Sequence, residues 1–167
     1  GNWIATEFGP MCMQTGSGTW PMSEDCLHLN VFTKNLNQTI LKPVLVYIHG
    51  GAFETGSAHN HGPEYFMDRD VVLVTINYRL NKFGFLASGT SKAMGNMGLK
   101  DQAMALKWVR DNIHVFGGDA QRVTISGLSA GGFSVTSLLA SDMSRDLFQR
   151  AIVVSGSITW MSRMNRD

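Results

Sequence analysis

Short apolar runs alternate with a helical repeat along this chain, and this alternation constrains the fold more than any other feature. Residues 44–48 and 71–76 are mostly apolar and rich in β-branched side chains, which is typical of strands covered on both faces. From Leu99 to Ile113, apolar residues then recur at spacings of 4, 3, 3 and 4. That periodicity marks one face of a helix.

The rest of the chain continues the alternation. Residues 27–32 alternate apolar and polar side chains, as a half-exposed antiparallel edge strand does. Two further strands are predicted at 123–126 and 151–154, separated by a helix of small residues over 130–140. Strand, helix, strand, helix, strand predicts an α/β fold, with a mostly parallel central sheet and helices on both faces.

Composition excludes several classes of protein. The 167 residues correspond to about one domain, and 44% hydrophobic against 16% charged residues describes a globular chain. Fourteen Lys and Arg against 13 Asp and Glu leave a net charge of +1, so neither nucleic acid nor an anionic membrane is an expected partner. The longest apolar runs, such as 71–76, are far too short for a membrane span.

The cysteines and one sequon bear on the cellular compartment. Cys12 and Cys26 are either two unrelated buried thiols or a disulfide, which would stabilise the fold by about 3 kcal/mol. Asn37 begins an Asn-Gln-Thr glycosylation sequon in a polar stretch. Together these features favour an oxidising, secretory compartment, and we expect a secreted or secretory-lumen glycoprotein.

A Gly-Leu-Ser-Ala-Gly sequence at 127–131 lies between a predicted strand and a predicted helix. G-x-S-x-G in this context is typical of a nucleophile elbow, in which the glycines allow a sharp turn and the serine hydroxyl projects above the sheet. Ser129 would then lie at a helix N-terminus, whose dipole favours developing negative charge. The alternative is that Ser129 only caps the helix that starts at Ala130.

A second glycine-rich segment, His-Gly-Gly-Ala-Phe at 49–53, directly follows the strand predicted at 44–48. We call it the glycine loop. Its backbone N–H groups could form an oxyanion hole, and an ordinary glycine turn is the alternative. No P-loop pattern occurs in the sequence. His59 and His61 could ligate a metal, but no cysteine or carboxylate cluster accompanies them, so a solvated loop is expected there.

These motifs resemble those of the type-B carboxylesterase/lipase family of serine esterases, insect carboxylesterases in particular. The segment from Phe116 through Gly131 fits the family's active-serine signature, and Glu24 to Val31 fits its second signature. Asn77-Tyr78-Arg79 and the segment from Gly95 to Gln102 are further landmarks of the family. The resemblance implies an α/β-hydrolase fold, with residues 1–167 as the N-terminal part of one carboxylesterase domain.

The resemblance also implies roles for individual residues. Ser129 would be the acyl-accepting nucleophile, and the N–H groups of Gly51, Ala52 and Ala130 the oxyanion hole. Cys12 and Cys26 would form the family's first disulfide. Neither a metal nor another cofactor is implied. Arg79 and Asp101 resemble a structural ion pair and are excluded from the site.

Three residues bear on specificity. Ala52 stands where a third glycine is usual in the oxyanion loop, and its methyl group is expected to narrow the acyl site. Leu128 precedes the nucleophile where cholinesterases carry glutamate, which argues against a cholinesterase. Trp20 lies between the cysteines, as a choline-binding tryptophan does, but at a different offset, so it is interpreted as a packing residue.

The sequence therefore predicts a carboxylic-ester hydrolase acting on small-molecule esters through a serine acyl-enzyme. The alternatives are a non-catalytic adhesion or binding protein on the same scaffold and a lipase. In this fold the triad acid and histidine follow the nucleophile. All five histidines precede Ser129, so this stretch is expected to be a fragment without its triad base, inactive alone.

Overall fold

A computed structural model of the chain describes residues 5–16, 20–36, 39–91 and 94–158. Near the N-terminus, β1 (Met11–Cys12) pairs in parallel with β2 (Met22–Ser23). In the part of the chain that the structure describes, the main sheet has five strands in the order β3-β5-β4-β6-β7. They are β3 (Leu29–Phe32), β4 (Lys42–Ile48), β5 (Val72–Ile76), β6 (Gly118–Leu128) and β7 (Arg150–Val154).

The pairing confirms the predicted α/β class. β4, β5, β6 and β7 run parallel to one another, and β3 lies antiparallel to β5 at one end of the described sheet. β5 is buried along its whole length, as its continuous apolar sequence predicts. The sheet is therefore mostly parallel, with the alternating segment as its antiparallel edge.

Within the described residues, three α-helices accompany the sheet: α1 (Asn81–Phe85), α2 (Met97–Asn112) and α3 (Ala130–Leu139). The apolar stripe predicted for α2 is the buried one, because Ala103, Leu106 and Val109 all lie in the core. α2 and α3 pack against each other, and Gln102 Nε2 donates a 2.9 Å hydrogen bond to Ser134 Oγ across that contact.

Several strand boundaries differ from the predicted ones, and β4, for example, begins at Lys42 rather than at residue 44. β3 begins at Leu29 rather than at residue 27, because the His28 N–H donates to the Cys26 carbonyl in a turn. β6 begins at Gly118 rather than at residue 123, through a register shift against β4. In that irregular section Asp119 accepts hydrogen bonds from Gln121 and Arg122, so a polar sequence still forms strand.

The strand order determines where the motifs meet. β4 and β6 are parallel neighbours, with Ile48 level with Gly127, and β5 ends at Ile76 on the other side of β4. The carboxyl ends of all three strands therefore lie at the same edge of the sheet. In open α/β sheets this edge is where ligands bind.

Candidate active site

Ser129 occupies the turn between β6 and α3, with φ 57° and ψ −120°. A positive φ is costly for a residue with a Cβ, and such strain clusters at functional sites. The turn is held by the Ser129 N–H, which donates to Val154 O at 2.9 Å, and by the Ser129 carbonyl, which accepts from Phe133 N at 2.9 Å. The Ser129 side chain is exposed and makes no capping hydrogen bond, so helix capping does not explain this serine.

The glycines of the elbow allow neighbouring backbone segments to pack closely, because a Cβ at these positions would overlap them. A Cβ on Gly127 would overlap the backbone of Gly131, and a Cβ on Gly131 would overlap the Ile48 carbonyl. A Cβ on Gly50 would lie 2.6 Å from Leu128 O and 3.4 Å from the Ser129 Cβ. The glycine loop and the elbow are thus in contact at the carboxyl ends of β4 and β6.

The glycine loop is itself strained. Gly51, Ala52 and Phe53 follow one another with φ values of 110°, 57° and 62°. In the described part of the chain, neither Gly51 N nor Ala52 N donates to a backbone carbonyl. The Ala130 N–H belongs to the first turn of α3, whose N–H groups have no partner within the helix. The Gly51 and Ala52 N–H groups are thus not used in described backbone hydrogen bonds, which is compatible with the predicted role as oxyanion donors.

His49 opens the glycine loop and is buried, stacked on Tyr78 with ring centroids 4.3 Å apart. Burial lowers the His49 pKa to about 4. Its Nδ1 lies 2.7 Å from the Gly50 carbonyl, which can only accept, so Nδ1 carries the proton. His49 is therefore neutral and buried in the loop's framework.

Elbow and loop line one open cleft of about 480 Å³. Among the residues that the structure describes, no Asp, Glu, Lys or Arg lines this cleft. Burial raises the Tyr47 pKa and lowers the His61 pKa, so these two side chains also favour their neutral forms. The cleft suits uncharged molecules. Its wall includes Trp20, Tyr47, His61, Leu128 and Gln14.

Two expectations need correction here. His59 was expected in a solvated loop, but its ring packs against Phe8 and Trp20, with centroids 4.8 Å from each, and its ring nitrogens are buried. His61 likewise packs on Tyr47 at 4.4 Å. Trp20 does pack on Phe8 and His59, as predicted, but it also lines the cleft and is 44% exposed. The packing interpretation is thus supported, and Trp20 is also part of the cleft wall.

The Arg79–Asp101 pair and the two cysteines are not among the residues that line the cleft. Arg79 and Asp101 form the predicted ion pair, with two side-chain hydrogen bonds of 2.7 and 2.8 Å, and Asp101 is buried. Cys12 and Cys26 are joined in a disulfide. Asn37 lies outside the described residues. Within the described ranges, no three His, Cys, Asp or Glu side chains are grouped to hold a metal ion.

Sequence reasoning missed two residues at this site. Gln14 lines the cleft and bonds twice to the Gly56 backbone, at 3.0 Å through Nε2 and 2.8 Å through Oε1. Tyr47 also lines it. A local signal existed only for Tyr47, because its position just before the end of β4 brings it near the edge of the sheet. No sequence pattern around Gln14 predicts its hydrogen bonds to the distant Gly56.

A family model, that of the carboxylesterase family, matches residues 1–167. The chain belongs to the carboxylesterase family. A juvenile hormone esterase of Tribolium castaneum is 56% identical over 137 residues, covering 81% of this chain and 23% of that protein. A carboxylic ester hydrolase of Bombus ignitus is 48% identical over 161 residues, covering 91% and 29% respectively.

Solved structures of the family share the fold. The crystal structure of juvenile hormone esterase from Manduca sexta, with OTFP covalently attached, aligns at a TM-score of 0.85 and 40% identity. The alignment covers 97% of this chain and 34% of that one. The α/β-hydrolase fold expected of a carboxylesterase is therefore confirmed, and the chain spans less than a third of the length of the two curated relatives above. In the described ranges no helix has the length and apolarity to cross a membrane.

Proposed function

We propose that Ser129 is the nucleophile of a carboxylic-ester hydrolase. The observation that carries the proposal is the juxtaposition at the sheet edge. An exposed serine on a strained elbow and the N–H-bearing glycine loop line the same cleft. A serine forced into this conformation and left without a capping bond has a chemical role as its simplest explanation.

In the proposed reaction, the Ser129 Oγ attacks the ester carbonyl carbon while a general base of the full-length protein takes its proton. The carbonyl oxygen becomes an oxyanion that accepts from the N–H groups of Gly51, Ala52 and Ala130. Collapse breaks the bond to the alcohol oxygen, which receives the proton. Water then attacks the acyl-enzyme by the same steps, releasing the acid and restoring Ser129. Each oxyanion donor contributes roughly 3 kcal/mol to the transition state.

The substrates are proposed to be small carboxylic esters without formal charge. The cleft has no charged side chain among its described lining residues, and the names of the relatives, carboxylic ester hydrolase and juvenile hormone esterase, agree with an ester substrate. We further propose that residues 1–167 form part of one esterase domain, made in the secretory pathway and glycosylated at Asn37. The Cys12–Cys26 disulfide supports that compartment.

The test is turnover of p-nitrophenyl butyrate by the full-length protein that contains this chain. Ser129→Ala should lower kcat by about 10³-fold or more, while Ser137→Ala, a control serine on the same helix, should retain full activity. Equal activity of wild type and Ser129→Ala would refute the nucleophile. A wild type with no turnover would favour a non-catalytic binding role.

A separate experiment tests the glycosylation sequon. Treatment with an N-glycosidase should lower the mass of the secreted wild-type protein and should leave the mass of the Asn37→Gln variant unchanged.

A further inference from the structure

The segment 77–81, which leaves the end of β5, takes no part in the proposed chemistry, yet it contacts the glycine loop at both ends. We infer that Tyr78 and Asn81 are positioning residues. They fix the conformation of the glycine loop and thereby aim its N–H groups at the oxyanion. This inference rests on the proposed function and deepens it.

The glycine loop needs such support from outside. A positive φ is unfavourable for a residue that carries a Cβ, and Ala52 and Phe53 both have one. Within the loop region, the N–H groups of Glu54 and Thr55 donate to the Gly51 carbonyl at 2.9 Å each. These local hydrogen bonds are weak compensation for two strained residues, so contacts from other segments are expected to help hold the loop.

Tyr78 holds the beginning of the loop. Its side chain is fully buried, its hydroxyl donates to the His49 carbonyl at 2.8 Å, and its ring lies nearly parallel to the His49 ring, at 17°. Burial raises the Tyr78 pKa, so the hydroxyl keeps its proton at any assay pH. The bonded carbonyl is two residues before Gly51, so this hydrogen bond fixes the backbone just ahead of the first oxyanion donor.

Asn81 holds the end of the loop. Its backbone N–H donates to the Phe53 carbonyl and its Nδ2 donates to the Glu54 carbonyl, both at 2.8 Å. Asn81 itself has φ 51°, a left-handed conformation that Asn tolerates better than most residues. Tyr78 and Asn81 thus bind the carbonyls on either side of the strained Gly51 to Phe53 stretch.

The segment is itself anchored to rigid parts of the molecule. The Asn77 N–H donates to the His28 carbonyl at 3.0 Å, and Asn77 Nδ2 lies 3.2 Å from the Cys26 carbonyl beside the disulfide. Arg79 is paired with the buried Asp101 on α2. These contacts explain how a short connection after β5 can impose a conformation on a neighbouring loop.

The test uses the full-length protein and three variants. Tyr78→Phe removes only the hydroxyl, and Asn81→Gly removes the Nδ2 donor while allowing the positive φ. Tyr65→Phe is the matched control, because Tyr65 is 90% exposed. Active sites are counted with a fluorophosphonate. The rates per active site are then compared with the inhibition constant of a trifluoromethyl ketone, which forms an oxyanion adduct with a serine.

We expect Tyr78→Phe and Asn81→Gly each to lower kcat about tenfold per active site, with KM changed less than twofold. The affinity for the trifluoromethyl ketone should fall by the same factor, and Tyr65→Phe should match wild type. The inference is wrong if both variants keep wild-type kcat per active site, or if KM rises with kcat unchanged. If a variant only folds poorly, the number of fluorophosphonate-reactive sites falls while the rate per active site stays at the wild-type value. That result would also contradict a positioning role. Failure of the proposed function looks different, because wild type itself would then neither turn over ester nor bind the fluorophosphonate.

Discussion

At the scale of single residues, the candidate site contains positive φ values at residues other than glycine, and such residues do not favour that backbone conformation. Ser129, Ala52 and Phe53 all have φ values near +60°. Around them, glycines at 50, 127 and 131 let the ends of β4 and β6 and the start of α3 approach one another closely. Three of the seven described non-glycine residues with a positive φ therefore lie at the proposed site.

Ala52 offers a direct test of the acyl site. Ala52→Gly keeps the N–H and removes an exposed methyl group, so oxyanion binding should survive while larger acyl groups gain room. In the full-length protein we expect the ratio of kcat/KM for a branched or long acyl ester to that for the acetate to rise roughly tenfold. Ala52→Ser, which adds an atom, should lower the same ratio. Equal effects on all acyl sizes would mean that the methyl group does not face the acyl site.

At the scale of elements, local sequence predicted what local forces determine. The β-branched runs became β4 and β5, the apolar stripe became the buried face of α2, and the elbow fell between β6 and α3. The two glycine-containing motifs could therefore be assigned to the site from sequence. The two motifs lie next to each other because β4 and β6 are neighbouring strands in the sheet.

Contacts between segments that are distant in sequence could not be predicted from local sequence patterns. The packing of His59 between Phe8 and Trp20 joins three loops, and no local pattern indicates it. The same holds for the hydrogen bond from Tyr78 to His49, residues 29 apart in sequence. Local periodicity reports which face of an element is buried, but not which side chain of another loop covers it.

The Cys12–Cys26 disulfide is a prediction at this scale, because it closes the loop that contains β2. In secreted full-length protein, the peptides containing Cys12 and Cys26 should be linked until reduction, as peptide mass mapping would detect. Replacing both cysteines by serine should lower the free energy of unfolding by about 3 kcal/mol. Alkylation of either thiol in denatured, freshly secreted protein would contradict the bond.

The Arg79–Asp101 pair links the exit of β5 to α2. Asp101→Asn would leave the Arg79 guanidinium without its buried carboxylate, and we expect the free energy of unfolding in urea to fall by roughly 2 kcal/mol. Arg79 is partly exposed, which keeps the loss below that of a fully buried pair. Asp111→Asn is the control, since its pair with Arg110 is exposed on both sides and should change stability within error. Equal losses in the two variants would contradict a structural role specific to Asp101.

At the scale of the whole molecule, the described chain presents the carboxyl edge of a parallel sheet as one uncharged cleft. The neutral His49 ring forms part of the framework behind it. Because burial lowers the pKa of His49, the free energy of unfolding depends on pH through the protonation of this ring.

This coupling has a definite sign. The His49 pKa is about 4 in the folded protein and near 6.5 when unfolded, so the unfolded chain binds more protons between these values. The stability that neutral His49 contributes is complete above pH 6.5 and is lost as the pH falls towards 4, by up to about 3 kcal/mol. Urea unfolding of wild type and His49→Asn across pH 4 to 7 measures it. The variant should show a smaller decline, and identical declines would contradict the account.

The central claim is that Ser129 is the reactive nucleophile of this cleft, and covalent labelling tests it most directly. The full-length protein is treated with a fluorophosphonate probe, digested, and mapped by mass spectrometry. The account predicts one label per chain, on the peptide that contains Ser129, with none in Ser129→Ala and full labelling in Ser137→Ala. A label on another serine, or no label on active wild-type protein, would contradict it.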